Sequence, residues 1–88
     1  MQLFRTKTFK KEYLKTKITD TQYTKYLIYL VMILKDETLP VESRDHSLTG
    51  EYKGFREFHL GGDLLVIYIV ENNILRLTRI GTHAQLFK

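Results

Sequence analysis

The chain has no cysteine, no tryptophan, a single proline and only five glycines among its 88 residues. Without cysteine it can build neither a disulfide framework nor a thiolate zinc site, and a protein without bridges suits a reducing compartment, so the cytoplasm is the expected location. Long apolar runs are missing as well. The most hydrophobic helical stretch, "YLIYLVMIL" at 26–34, is far shorter than the roughly 20 residues that span a membrane. The opening "MQLFRTKTFKKEYLKTK" breaks its apolar residues with Lys and Arg, so no secretory signal is expected there and no membrane partner is implied.

What is present suits one small globular domain over 1–88. Hydrophobic residues make up 43% and charged residues 27%, and an aromatic share of 12% supplies bulky core filler in place of tryptophan. Fourteen Lys and Arg against ten Asp and Glu leave a net charge of +4, with a sequence pI near 9.4. A mild basic excess points toward an anionic partner, nucleic acid or an acidic protein, without selecting between them.

Hydrophobic periodicity divides the chain into a helical half and a strand half. Residues 2–6 read as a short strand, and 7–15 as a short amphipathic helix with Phe9 and Tyr13, and Leu14 at the margin, on one face and Lys10, Lys11 and Lys15 on the other. That basic stripe is either a solvated face or a docking surface for phosphates. A second helix begins near Thr19 or Asp20, both able to cap orphan amides, and runs to about Lys35. Its stripe of Tyr23, Tyr26, Leu27, Leu30, Ile33 and Leu34 reads as core. Residues 36–54 hold the only proline and two of the glycines and read as a long irregular connection. Beyond them, 55–60 and 74–80 alternate with period two, while "LLVIYIV" at 64–70 is apolar on both faces and therefore central. The expected fold is α+β, β-α-α-β-β-β, with a helical hairpin on one face of a small, mainly antiparallel twisted sheet.

The chemistry-bearing residues gather in the second half. His46 sits in the long connection, His59 near the end of one strand and His83 just past another, with Asp45 and Asp63 beside the first two. In an antiparallel meander the end of the last strand returns beside Asp63, so His59, Asp63 and His83 are expected to converge. No HxH or HxxxH pair fixes two nitrogens on one element, and no metal ion or other cofactor is expected. A single histidine is most simply a half-buried side chain with an ordinary hydrogen bond. Three of them with Lys53, Arg56 and Arg79 nearby favour acid-base work on an anionic substrate. Imidazole suits proton transfer near neutral pH, worth roughly 10²- to 10⁴-fold in rate for each group. Arginine stays charged and can grip two phosphate oxygens, so Arg79 and Arg56 suit a crowded phosphorane. Phe87 is either a plug at the core's edge or a platform for an unpaired base.

The run "DHSLTGEYKGFREFHLGGDLLVIYIVENNILRLTRIGTHAQLF", residues 45–87, resembles the YafQ-type branch of the RelE/ParE toxin superfamily of type II toxin-antitoxin modules. Its landmarks are the DHxLxG opening, the strand "YKGFREFH", the Asp after the turn and the ending "RIGTHAQLF". The resemblance implies a ribosome-dependent mRNA endonuclease of RelE-like fold. Its partners would be a cognate antitoxin, the ribosome and mRNA, with operator DNA met only through the toxin-antitoxin complex. Carried over by position, it implies an active site of His46, His59, Asp63, Arg79, His83 and Phe87, with His83 leading the proton transfers and Arg79 on the scissile phosphate. Lys53, Arg56, Lys10 and Lys11 would bind RNA, and the lysines at 7, 15, 17 and 25 would join them on ribosomal RNA. One departure stands out: members often carry Trp directly after the Asp, where this chain has Leu64. Two other readings stay open, a ParE-like toxin that binds a protein such as gyrase and a catalytically silent RNA- or antitoxin-binding module.

Overall fold

The computed structural model describes residues 1–87. Strand β1 (Gln2–Arg5) is followed by helices α1 (Lys7–Lys15) and α2 (Asp20–Leu34). Then come a 3-10 turn at Val41–Ser43, the two-residue strand β2 (His46–Ser47) and a second 3-10 turn at Gly50–Tyr52. The chain closes with β3 (Arg56–Gly61), β4 (Leu64–Glu71), β5 (Ile74–Thr82) and the one-turn helix α3 (His83–Leu86). The five strands form one sheet in the order β1-β5-β4-β3-β2, antiparallel except for the parallel β1–β5 pair. This is the expected α+β arrangement. Among the described residues no helix is long and apolar enough to cross a membrane.

Local chemistry sets the helix boundaries. The Thr6 hydroxyl accepts the Phe9 amide at 3.0 Å and opens α1, and the same hydroxyl donates to the Thr78 carbonyl at 2.9 Å, which ties the start of the helix to β5. Thr19 and Gln22 form a reciprocal capping box at the start of α2. The buried side of α2 is Tyr26, Tyr29, Leu30 and Ile33, with Tyr29 set edge-on to Phe58 of β3 at 5.6 Å. Tyr23 and Leu27, expected in that stripe, are 42% and 45% exposed, and Tyr29 takes the place within it; Leu14, expected at the margin of the apolar face of α1, is exposed as well. Because α2 is apolar almost all round, periodicity could not choose its inward face; contact with β3 and with the Phe9 and Tyr13 rings of α1 does.

The sheet has a core on each side. Phe58, Leu60, Leu64, Val66, Tyr68, Leu75, Leu77 and Ile80 face the helices, whereas Leu65 and Ile67 face a smaller cluster with Leu86, Leu48, Tyr52, Phe55 and Phe87. That second cluster is why β4 is apolar on both faces. The connection at 36–54, expected to be irregular, supplies much of it through β2 and the 3-10 turn that carries Tyr52.

A bulge in β5 decides which way Arg79 points. Plain alternation would put Leu75, Leu77 and Arg79 on one face, but the register shifts so that Tyr68 pairs with Leu77 and Ile67 with Arg79, leaving Thr78 as the extra residue. Leu77 and Ile80 therefore both enter the helix-side core, and Arg79 is turned to the opposite face beside Ile67.

Candidate active site

Two polar groups lie on the face that the bulge creates, on either side of the small cluster. The first is built on β5, α3 and the Tyr52 turn. Arg79 donates through Nε and Nη2 to the Glu12 carboxylate, with Nε–Oε2 at 3.1 Å, and through Nη1 to the Tyr52 hydroxyl at 3.0 Å. Glu12 also accepts the Ile80 amide at 3.2 Å. β1 pairs with β5 only as far as Leu77, so this carboxylate serves an edge that has no neighbouring strand. The bonds to Glu12, ahead of the one to Tyr52, raise the Arg79 pKa further above its ordinary value, and the guanidinium is permanently charged.

From Tyr52 the aromatic surface continues to Phe87 at 5.7 Å between ring centroids, and from Phe87 to the His83 imidazole at 4.8 Å. His83 and Phe87 are four residues apart and share one side of α3. The helix can lie on the sheet here because Gly81 has no side chain: a Cβ there would sit 2.8 Å from Gln85 Oε1 and 3.2 Å from Leu86 Cδ2. Thr82 and Gln85 close a capping box that starts α3 directly at His83. The β4–β5 ladder ends at Leu64–Thr82, so Asp63 and His83 are the next residues on their two strands. The expected meeting of Asp63 with the end of the last strand is therefore present in the backbone.

The second group comes from β2 and β3. His46 pairs with Glu57 across the strands, and Glu57 and His59, two apart, share a face. The buried Glu57 carboxylate accepts from His59 Nε2 at 2.9 Å and lies 3.4 Å from His46 Nε2. The two imidazoles are stacked at 6.3 Å. His59 is thus partnered by Glu57 rather than by Asp63, and Asp63 makes no hydrogen bond among the described residues. Through Ile67, Glu57 stands two strands from Arg79, roughly 10 Å in backbone spacing. His46 and His59 share a face with Arg79, but Leu65, Ile67 and Leu86 lie between them and they do not touch it.

Arg56 belongs elsewhere. It is opposite Tyr68 on the helix side of the sheet, where its Nε donates to Asp45 Oδ1 at 3.2 Å, beside the Tyr68 hydroxyl that donates to the same oxygen at 2.6 Å. Period-two alternation separates it from Glu57 and His59. Lys53 caps the Tyr52 turn, and Lys10 and Lys11 are exposed on α1.

Sequence reasoning passed over Glu12, Tyr52 and Glu57. Glu57 was legible as the carboxylate two positions before His59 on a strand. Glu12, a lone acid among the lysines of α1, and Tyr52, in an apparent loop, gave no signal, because only the fold brings them to Arg79. His46, Glu57 and His59 also have the donor chemistry of a metal site, with ligand atoms all within 4.8 Å of one another. The His46 Nδ1–H donates to the Arg44 carbonyl at 2.6 Å, which leaves Nε2 free to ligate. Two imidazoles and a carboxylate fit a divalent ion with a position left open.

A family described as the bacterial toxin of type II toxin-antitoxin system, YafQ, matches residues 1–88. The chain is 43% identical over 63 residues to the mRNA interferase toxin YafQ of Escherichia coli strain K12, an alignment that covers 69% of this chain and 68% of that one. Among solved structures, a copper-bound mutant toxin from Helicobacter pylori superposes with a TM-score of 0.85 at 31% identity over 99% of both chains. The E. coli DinJ-YafQ complex gives 0.79 at 32% identity over 99% of this chain and 98% of the other.

Proposed function

The chain belongs to the YafQ family of toxins from bacterial type II toxin-antitoxin systems, and from that premise we propose that it is an mRNA endoribonuclease that cuts translated mRNA on the ribosome. The observation that carries the reading is the unbroken series Arg79, Tyr52, Phe87 and His83, which sets a fixed cation, a stacking surface and an imidazole side by side on one face.

In this reading Arg79 meets the scissile phosphate through the N–H groups that Glu12 and Tyr52 leave free. Phe87 takes the face of an adjoining base. A base removes the 2'-OH proton, the oxygen attacks phosphorus, and the bond to the 5' oxygen breaks as an acid protonates it. His83 leads these transfers with Asp63 beside it, while His59 and His46 assist from the Glu57 side; base and acid titrate as a coupled set. Charge that builds on the phosphorane falls next to Arg79, the arrangement that stabilises a transition state more than a ground state. A divalent ion on His46, Glu57 and His59 would supply a Lewis acid, but proton transfer by the imidazoles and charge neutralisation by Arg79 use no such ion.

Alone, the site is sparse. The ribosome supplies the geometry of the mRNA, and the exposed Lys10, Lys11 and Lys53 dock on ribosomal RNA. By likeness to the E. coli DinJ-YafQ complexes, the protein pairs with a cognate antitoxin. Operator DNA would be met only by that pair.

The test is expression of wild type and His83→Ala without antitoxin, with primer extension on cellular mRNA. Wild type should arrest growth and leave cuts in register with translated codons, and His83→Ala should do neither. Growth arrest that survives the substitution would instead favour a toxin that acts by binding a protein target.

A further inference from the structure

A cleft of about 490 Å³ opens beside Arg79, where the end of α1 and the link to α2 face the β3–β4 turn and α3. That volume is in the range of small-ligand sites. Leu64 and Ile80, both almost closed to solvent, contribute its apolar floor, and Lys15, Lys17, Asp63 and Gln85 reach it from the sides. The Glu12 carboxylate in its wall is already occupied by Arg79 and the Ile80 amide.

The placement of Arg79 and α3 makes this cleft the other side of the site. Gln85 is two residues from His83, about 200° around the helix, so His83 and Phe87 face the aromatic surface while Gln85 lines the cleft. Arg79 is two-sided in the same sense, with Nη1 on Tyr52 of the aromatic surface and Nε and Nη2 on Glu12 of the cleft wall. A strand of RNA whose scissile phosphate rests on Arg79 passes over Phe87 in one direction and into the cleft in the other.

We infer that the cleft is a subsite for one nucleotide of single-stranded mRNA, the neighbour of the scissile phosphate on the side away from Phe87. The inference rests on the endonuclease reading and deepens it. A ribosomal RNA phosphate would call for cations alone, whereas an apolar floor with both donors and acceptors around it is the surrounding of a base. Gln85 commits Oε1 to the Thr82 amide at 2.8 Å, leaving its NH2 group for the occupant, and Asp63 has no hydrogen bond among the described residues. Lys15 and Lys17, which the family resemblance alone would put on ribosomal RNA, line the cleft, where the nucleotide's outer phosphate would leave it. Leu64 packs under the base where a flat aromatic would otherwise stack.

The experiment uses the whole toxin with translating ribosomes, reading cut positions by primer extension and rates against ribosome concentration. Gln85→Glu keeps the oxygen that caps α3 but turns the donor side of the amide into an acceptor. It should shift the base preferred at one fixed position beside the cut toward bases that present amino groups, with cutting retained. Lys15→Ala with Lys17→Ala should raise KM roughly three- to tenfold, as expected for exposed charges, and leave the toxin's sedimentation with mRNA-free ribosomes unchanged. Cutting by Gln85→Glu with an unaltered base pattern overturns the subsite. So does lost binding of the double lysine variant to mRNA-free ribosomes, which would assign the cleft to ribosomal RNA. Should Gln85→Glu fail to fold, the lysine pair, exposed and with no side-chain hydrogen bond among the described residues, decides the matter. A wild-type protein that makes no cuts in translated mRNA fails differently, since that removes the endonuclease reading itself.

Discussion

Glu12 and Arg79, 67 positions apart, are joined by a two-pronged ion pair in which the carboxylate takes both Nε and Nη2 of the guanidinium and also the amide of Ile80. One side chain of α1 thereby closes an open sheet edge and sets the direction in which the site's arginine faces. A carboxylate with three donors is a positioning device whose removal leaves each donor without its partner.

Glu12→Ala is expected to lower unfolding stability by about 1–3 kcal/mol and to reduce mRNA cleavage by more than the loss of folded protein accounts for. Glu12→Gln, which keeps an acceptor, should recover part of both. Denaturant midpoints measured beside cleavage rates check this; equal stability in Glu12→Ala and wild type would contradict it.

Gly81→Ala puts a methyl group 2.8 Å from Gln85 Oε1 and 3.2 Å from Leu86 Cδ2, so the Gln85 side chain that caps α3 must turn aside and Leu86 must shift in its packing. The expected cost is about 1–3 kcal/mol, as for overpacking. Because His83 and Phe87 ride on α3, cleavage should fall at least tenfold even where the variant is fully folded by circular dichroism. Unchanged cleavage at unchanged stability would show that α3 is not held by this contact.

Alkaline pH should destabilise the fold through its buried phenols. Burial, with a smaller contribution from Tyr13, pushes the Tyr26 pKa from 10.0 up to about 12. Tyr68 is raised by burial first and then by its bond to Asp45. A pKa that is higher in the folded state means that the unfolded chain releases its proton first. The contribution is complete below about pH 10, the ordinary tyrosine value, and is lost as pH climbs toward the folded value. Urea midpoints from pH 9 to 11.5 should decline at the upper end, and Tyr26→Phe should flatten that decline.

Toxin stripped of divalent ions with a chelator and gel-filtered before it meets ribosomes should cut mRNA at the untreated rate, because the proposed proton transfers use imidazoles. Activity lost on stripping and regained with zinc, but not regained in Glu57→Gln, would place an essential ion on His46, Glu57 and His59.

The four longer strands, the two main helices and the α+β class were legible because each follows from periodicity and capping over a few residues: Thr19 with Gln22, the alternation at 55–60, the two-sided apolar run at 64–70. Asn72 and Asn73 take positive φ values in the tight turn between β4 and β5, a conformation that asparagine tolerates. The inward face of α2 was not legible, since a helix apolar almost all round has no single stripe to read. Nor were α3 and β2, one turn and two residues long, which exist through contacts with the small second core rather than through propensity.

The amino-acid sequence by itself determined the inventory: three imidazoles, Asp63, Arg79 and Phe87 in the order that marks the family, on a chain able to form one small sheet covered by helices. Tertiary structure alone decided their grouping. The bulge at Thr78 reverses the phase of β5 and puts Arg79 on the face of Ile67 and Tyr52, Gly81 leaves room for His83 and Phe87 to fold toward the same face, and alternation sends Arg56 to the other. A bulge and a helix docking are fixed by which distant groups meet, here Thr6 on Thr78 and Glu12 on Arg79, and pairings between opposite ends of a chain leave no local pattern in it.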